Sequence, residues 1–196
     1  MKNKKENVVS TKKLAMCAIL TALVVVLQFM GAFIHIGIFS VSLVLIPIVI
    51  GTATCGAGVG AWLGFVFGVV VLLSGDAGAF LAVNIPGTIV TVLLKGILCG
   101  YISGLVYKLV ERINRYVGVL AAAIVCPLVN TGVFLLGCVV FFMGTITGWA
   151  TELGLGQNVV HYMFIYLAGG NFLFELGLNI ILSPAVVRLL NIRSKQ

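Results

Sequence analysis

Residues 85–108 read IPGTIVTVLLKGILCGYISGLVYK, an apolar segment of membrane-crossing length with one cation, Lys95, in its interior. A charged side chain near mid-bilayer costs several kcal/mol by most measures, so such a residue faces protein or a water-filled cavity. Something must answer that charge. Among the five acids, Glu175 alone lies within an apolar run, GNFLFELGLNIILSPAVVR, residues 170–188. Lys108 lies 13 residues beyond Lys95, and Arg188 lies 13 beyond Glu175. At about 1.5 Å per residue, both buried charges sit roughly 20 Å from a basic anchor at one membrane face. The spacing therefore predicts that Lys95 and Glu175 share a depth, in the half of the bilayer away from those anchors.

The composition supports the membrane reading. The 196 residues are 61% hydrophobic and 9% charged, where a soluble domain carries about 25% charged residues. Several long apolar runs predict an all-α polytopic membrane protein, a bundle of six transmembrane helices. The net charge of +7 does not indicate nucleic acid, because of where the charge falls. Lys2, Lys4, Lys5, Lys12 and Lys13 precede the first apolar run. Lys108, Arg112 and Arg115 cluster in one turn, and Arg188, Arg193 and Lys195 lie at the C-terminal end. With six spans, eleven of the twelve basic residues lie inside and the twelfth is Lys95. This is positive-inside topology with juxtamembrane affinity for anionic lipid. It predicts a plasma-membrane protein with both termini cytoplasmic.

The expected organisation is a cytoplasmic polar arm (1–11), one six-helix transmembrane domain (12–192) and a cytoplasmic tail (193–196). The first span starts at Lys12 and carries Ala15, Ala18 and Ala22 on one face, a stripe that permits close helix approach. The pattern alone favours packing inside the bundle over docking of a separate subunit. Gly31–Ser40 reads as an outer extended or re-entrant loop. Val41–Thr54 is a short second span in which Pro47 is expected to introduce a kink. Gly56, Gly60, Gly64 and Gly68 repeat every fourth residue in the third span, and Gly96, Gly100 and Gly104 do so in the fourth. Two such ladders predict close helix–helix contact. Gly75–Ile85 and Gly144–Asn158 read as outer loops, and Gly169-Gly170 is expected to break the helix before a last span over 171–190.

Polar side chains recur at the depth of the two charges. Asn171, Glu175 and Asn179 form one stripe and Thr88, Thr91 and Lys95 another. Gln28 lies 15 residues beyond Lys13 and Asn130 lies 15 beyond Arg115, so both reach roughly 22 Å from the inner face. A structural network locking the helices together is one reading, at about 0.6–2 kcal/mol per bond. Convergence of this many polar groups favours a lined cavity instead. The spacing is compatible with Lys95 pairing with Glu175 and with Lys95 pairing with a ligand anion. Trp149, Tyr162 and Tyr166 read as interfacial aromatics or as walls for a ring-bearing ligand.

No metal site is expected: the five cysteines have no zinc-site spacing, and only two histidines, His35 and His161, are present. No P-loop, GxSxG or HExxH occurs, so neither nucleotide binding nor catalysis is expected, and no cofactor.

The chain resembles the substrate-binding S component of energy-coupling factor (ECF) vitamin transporters. The likeness rests on the order of four stretches: KKLAMCAILTALVVVLQ (12–28) with its Ala18-x-x-x-Ala22, IPIVIGTATCGAGVGAWLGFVFG (46–68), IPGTIVTVLLKGILCGYISGLVYKLV (85–110) and GNFLFELGLNIILSPAVVRLL (170–190). The resemblance implies a membrane-embedded binder of a small water-soluble vitamin, pantothenate-like or riboflavin-like. It implies a transmembrane coupling (T) subunit and two ATPase subunits as partners. It also turns Ala15, Ala18 and Ala22 toward that coupling subunit and puts the pocket in the outer half. The expected contacts are Lys95, Glu175, Asn130, Asn171 and Asn84, with Trp149 and Tyr162 as walls and the loops Gly31–Ser40 and Gly75–Ile85 as lids. The competing classes are a self-sufficient secondary transporter or channel using Glu175 for proton coupling, and an intramembrane enzyme using His161 or Glu175.

Overall fold

The structure, a computed structural model, describes residues 2–31, 35–36, 39–40, 43–154 and 158–194. In chain order the helices are α1 (Lys2–Gly31), α2 (Leu45–Cys55), α3 (Ala57–Ser74), α4 (Gly78–Leu81), α5 (Ile85–Val110), α6 (Arg115–Phe141), α7 (Met143–Glu152) and α8 (Val159–His161). A π-helical stretch, Tyr162–Gly169, then leads directly into α9 (Gly170–Ser194). Among the described residues, five segments are long and apolar enough to cross a membrane, over 11–31, 57–74, 85–110, 115–141 and 159–188, and α2 is a shorter apolar helix. The fold is the expected all-α polytopic bundle. Its extended structure among the described residues is one two-residue antiparallel pairing, His35–Ile36 with Phe39–Ser40. The remainder of the expected Gly31–Ser40 lid lies largely outside the described residues, as does the end of the 193–196 tail.

α5 is the central helix, packed most extensively against α3 and α6, with α9 packed against α6. The two glycine ladders explain the α3–α5 contact. A methyl group built on Gly64 or Gly96 collides with the other's backbone carbonyl, and Gly60 and Gly100 face each other in the same way. Further along, Gly104 lies against Ala57, where an added Cβ would sit 2.6 Å from its Cα. Residue numbers rise on one helix as they fall on the other, so the helices run antiparallel with their backbones in direct contact. α6 approaches α5 at Gly137, which leaves room only for the Thr91 side chain.

Several local expectations are corrected. Pro47 does not kink a span: it occupies the first turn of α2, where its missing N–H is one of the unpaired donors of a helix start. The turn into α3 is a single residue, Gly56, at φ 99°, a left-handed conformation suited to glycine. The outer loop 144–158 contains α7, whose Ile146 and Ala150 are buried one above the other. α1 begins at Lys2, so the polar arm continues the first helix; no Gly or Pro interrupts residues 2–13. Gly169-Gly170 does not break the chain. Gly170 is helical at φ −64° and ψ −46°, and the segment runs on from the π stretch into α9.

Two apolar clusters result. The larger joins α1, α2, α3, α5, α6 and α9, centred on Val24, Ile48, Leu63, Phe67, Cys99 and Cys126. The smaller gathers Phe80, Phe142, Ile146, Tyr162, Met163 and Leu167 from the elements at the end of the bundle away from the basic turn.

Candidate functional site

A cavity with an empty volume of about 740 Å³, counting the space at its mouth, opens between these clusters. Each contributing element lends the same end. Gln28 comes from the last turn of α1, Val71 from the end of α3, Lys95 from the first half of α5, Asn130 from the second half of α6, and Glu175 from the start of α9. That end is opposite the basic turn 111–114.

Within the cavity α5 presents Thr88, Thr91 and Lys95, the stripe that the helical spacing predicts. Asn84 caps the start of this helix: its side chain accepts from the Gly87 N–H at 3.0 Å, and Pro86 follows inside the first turn. Thr88 donates back to the Asn84 carbonyl at 2.7 Å. Further along, the Lys95 ammonium lies 5.6 Å from the ring centroid of Phe67 and 5.3 Å from that of Phe134. Two aromatic faces thus share one cation, each offering the negative centre of its ring quadrupole.

Glu175, 3% exposed, lines the same cavity, as does Asp76. Asn171 lies one turn before Glu175 and also lines the space. Asn179 does not, because its amide turns back to the Glu175 carbonyl at 2.8 Å. From α1, Gln28 Nε2 donates to Asp76 Oδ2 at 2.5 Å, tying the end of that helix to the turn after α3. Gln28 Oε1, Thr91 Oγ1 and Asn130 Oδ1 are buried with no hydrogen-bond partner among the described residues. Buried polar atoms are rarely left so, and all three belong to residues that line the cavity. Phe80 closes the cavity at the opposite wall, edge-on to Phe134, Phe142 and Trp149 at 5.6, 5.0 and 5.6 Å.

A family model described as "ECF transporter, substrate-specific component" matches residues 12–190. The chain belongs to that family. No curated protein and no solved structure matches it. As an ECF S component it is a multi-pass membrane subunit of a transporter; such subunits are not enzymes, and a small-molecule substrate with T and ATPase partners goes with the family in general.

Of the residues singled out from the sequence of this S component, Lys95, Glu175, Asn130 and Asn171 come together in the cavity wall. Asn84, Trp149 and Tyr162 stand behind it. Asn84 is the helix cap, Trp149 packs on Phe80, and Tyr162 is 1% exposed and stacked on Tyr166 at 5.7 Å. Ala15, Ala18 and Ala22 are exposed on the outward face of α1. The His35 side chain lies outside the described residues, and His161 packs near the Tyr166 ring. Asp76, Phe67, Phe80 and Phe134 are not among the contacts expected from the sequence. Asp76 carried a signal, being an acid beside the glycine that ends α3; the phenylalanines carried none that separates a cavity wall from a lipid-facing surface.

Proposed function

We propose that this S component captures a small water-soluble vitamin or vitamin precursor from outside the cell and delivers it when ATPase subunits act on the complex through the coupling subunit. The observation that carries the reading is the cavity. One base, carboxylates, amides and hydroxyls converge in the membrane half opposite the basic turn, and three of their polar atoms lack partners among the described residues. Lys95, Glu175, Asn130 and Asn171 would contact the ligand. Asn84 would hold the start of α5 in place, and Trp149 and Tyr162 would back the aromatic cap over Phe80. The 75–85 segment, which contributes Asp76 and Phe80, would act as a lid.

Two ligand types follow from the polar inventory. A pantothenate-like molecule would place its carboxylate on Lys95. A riboflavin-like molecule would leave Lys95 to the protein's own acids and bind through hydrogen bonds and ring contacts. Native mass spectrometry of the purified chain tests capture directly: a small co-purified molecule is expected, with weaker retention after Asn130→Ala. Reconstitution tests the mechanism. The chain alone in liposomes should move no solute, and uptake should appear only with the T and ATPase subunits and ATP. Transport by the chain alone would establish the self-sufficient secondary transporter instead.

A further inference from the structure

The two ligand types demand opposite charge from the cavity. Resting on the vitamin-capture reading, we propose that the site selects a vitamin with no net negative charge, an uncharged or cationic molecule rich in hydrogen-bond donors. The described residues lining the cavity include one base, Lys95, and two acids, Asp76 and Glu175. With all three ionised, the formal balance of these residues is one negative charge. An anionic ligand entering this space meets a surplus of like charge at low dielectric, where a single charge weighs far more than in water.

Lys95 is also engaged already. Its ammonium sits over Phe67 and Phe134 at 5.6 and 5.3 Å, so a ligand carboxylate would compete with two rings as well as two acids. The orientation of Gln28 adds a third argument. Because Nε2 donates to Asp76, the carbonyl oxygen Oε1 of this cavity-lining residue is left buried, an acceptor without a partner among the described residues. An amide so oriented calls for a donor on the ligand. A carboxylate or phosphate supplies only acceptors there. The aromatic and aliphatic lining, Phe80, Phe134, Phe142 and Val92 among it, suits the apolar body of such a molecule.

The experiment is an equilibrium binding panel on the purified full chain at neutral pH. Riboflavin (uncharged) and thiamine (cationic) are set against pantothenate, biotin, nicotinate and folate, all anions. One of the first two should bind at least about tenfold more tightly than every anion, and its phosphate ester should bind at least about tenfold more weakly than the parent. An anion as the tightest ligand overturns the proposal and leaves vitamin capture standing. No binding by any of the six overturns capture of these vitamins and the proposal with it. Asp76→Asn retains the side chain's shape and its reach to Gln28. It should narrow the preference over anions by about tenfold; an unchanged preference would show that charge does not set selection.

Discussion

Glu175 is 3% exposed on a membrane-crossing helix, and Lys95 is the only base among the described residues that share its cavity. Removing the cation alone leaves a buried carboxylate less compensated, whereas removing both charges leaves neither. Lys95→Met should therefore destabilise the protein by about 3 kcal/mol, and Lys95→Met with Glu175→Gln should recover at least about half of that loss. Thermal unfolding in detergent reads the difference; a double variant no more stable than the single one would show that the two charges do not depend on each other. That Lys95 and Glu175 line one cavity was legible because depth can be counted along a helix from a basic anchor. The Gln28–Asp76 bond was not, although Gln28 was placed at the right level. It joins residues 48 apart in sequence and requires knowing that the end of α1 lies over the turn after α3.

Between helices the decisive contact is backbone on backbone. At Gly64 an added methyl meets the Gly96 carbonyl, which cannot rotate away, so α3 and α5 must separate. Those helices supply Val71, Thr91, Val92 and Lys95 to the cavity wall. Gly64→Ala should cost about 1–3 kcal/mol and weaken ligand binding in step. Gly58→Ala on the same helix meets nothing within 4 Å and should be neutral or stabilising by up to about 1 kcal/mol. Equal losses in unfolding assays would mean that the ladder is not a contact surface. The four-residue glycine period announced this contact plainly. The π stretch left no comparable mark. Its buried residues Tyr162 and Leu167, and likewise Met163 and Ala168, are spaced by five, before α9 returns to the four-residue spacing of Glu175, Asn179 and Ser183. In sequence that change of period sits in a uniformly apolar run, and the adjoining glycine pair suggested a break instead. α7 was hidden for a related reason: Gly144 and Gly148 read as loop residues, yet Ile146 and Ala150 have an apolar cluster to bury against.

At the scale of the molecule, the basic turn and the cavity lie at opposite ends of the bundle, which fixes an orientation to be checked. With the cavity end outside, a cysteine introduced at Glu152 should react with a membrane-impermeant thiol reagent on intact cells, and one at Arg112 should react only after permeabilisation. The reverse pattern would invert the topology. α1 would then join ligand capture to docking of the coupling subunit, because it carries Gln28 into the cavity wall and exposes Ala15, Ala18 and Ala22 toward its surroundings. A row of alanines lowers the surface of a helix so that a partner helix can approach closely, and van der Waals contact at short range is what holds helices together where lipid is as apolar as the side chains. Ala18→Trp fills that surface without touching the core, since Ala18 is exposed while Leu20 and Val24 face inward at 4% and 0% exposure. Ligand affinity of the isolated chain should stay within about twofold, while co-purification with the T subunit and ATP-dependent uptake should both fall by at least about tenfold, because an indole has no room in a contact made for methyl groups. Unimpaired assembly would move the docking surface away from α1, and a parallel loss of ligand binding would return the alanine stripe to the packing of the bundle itself.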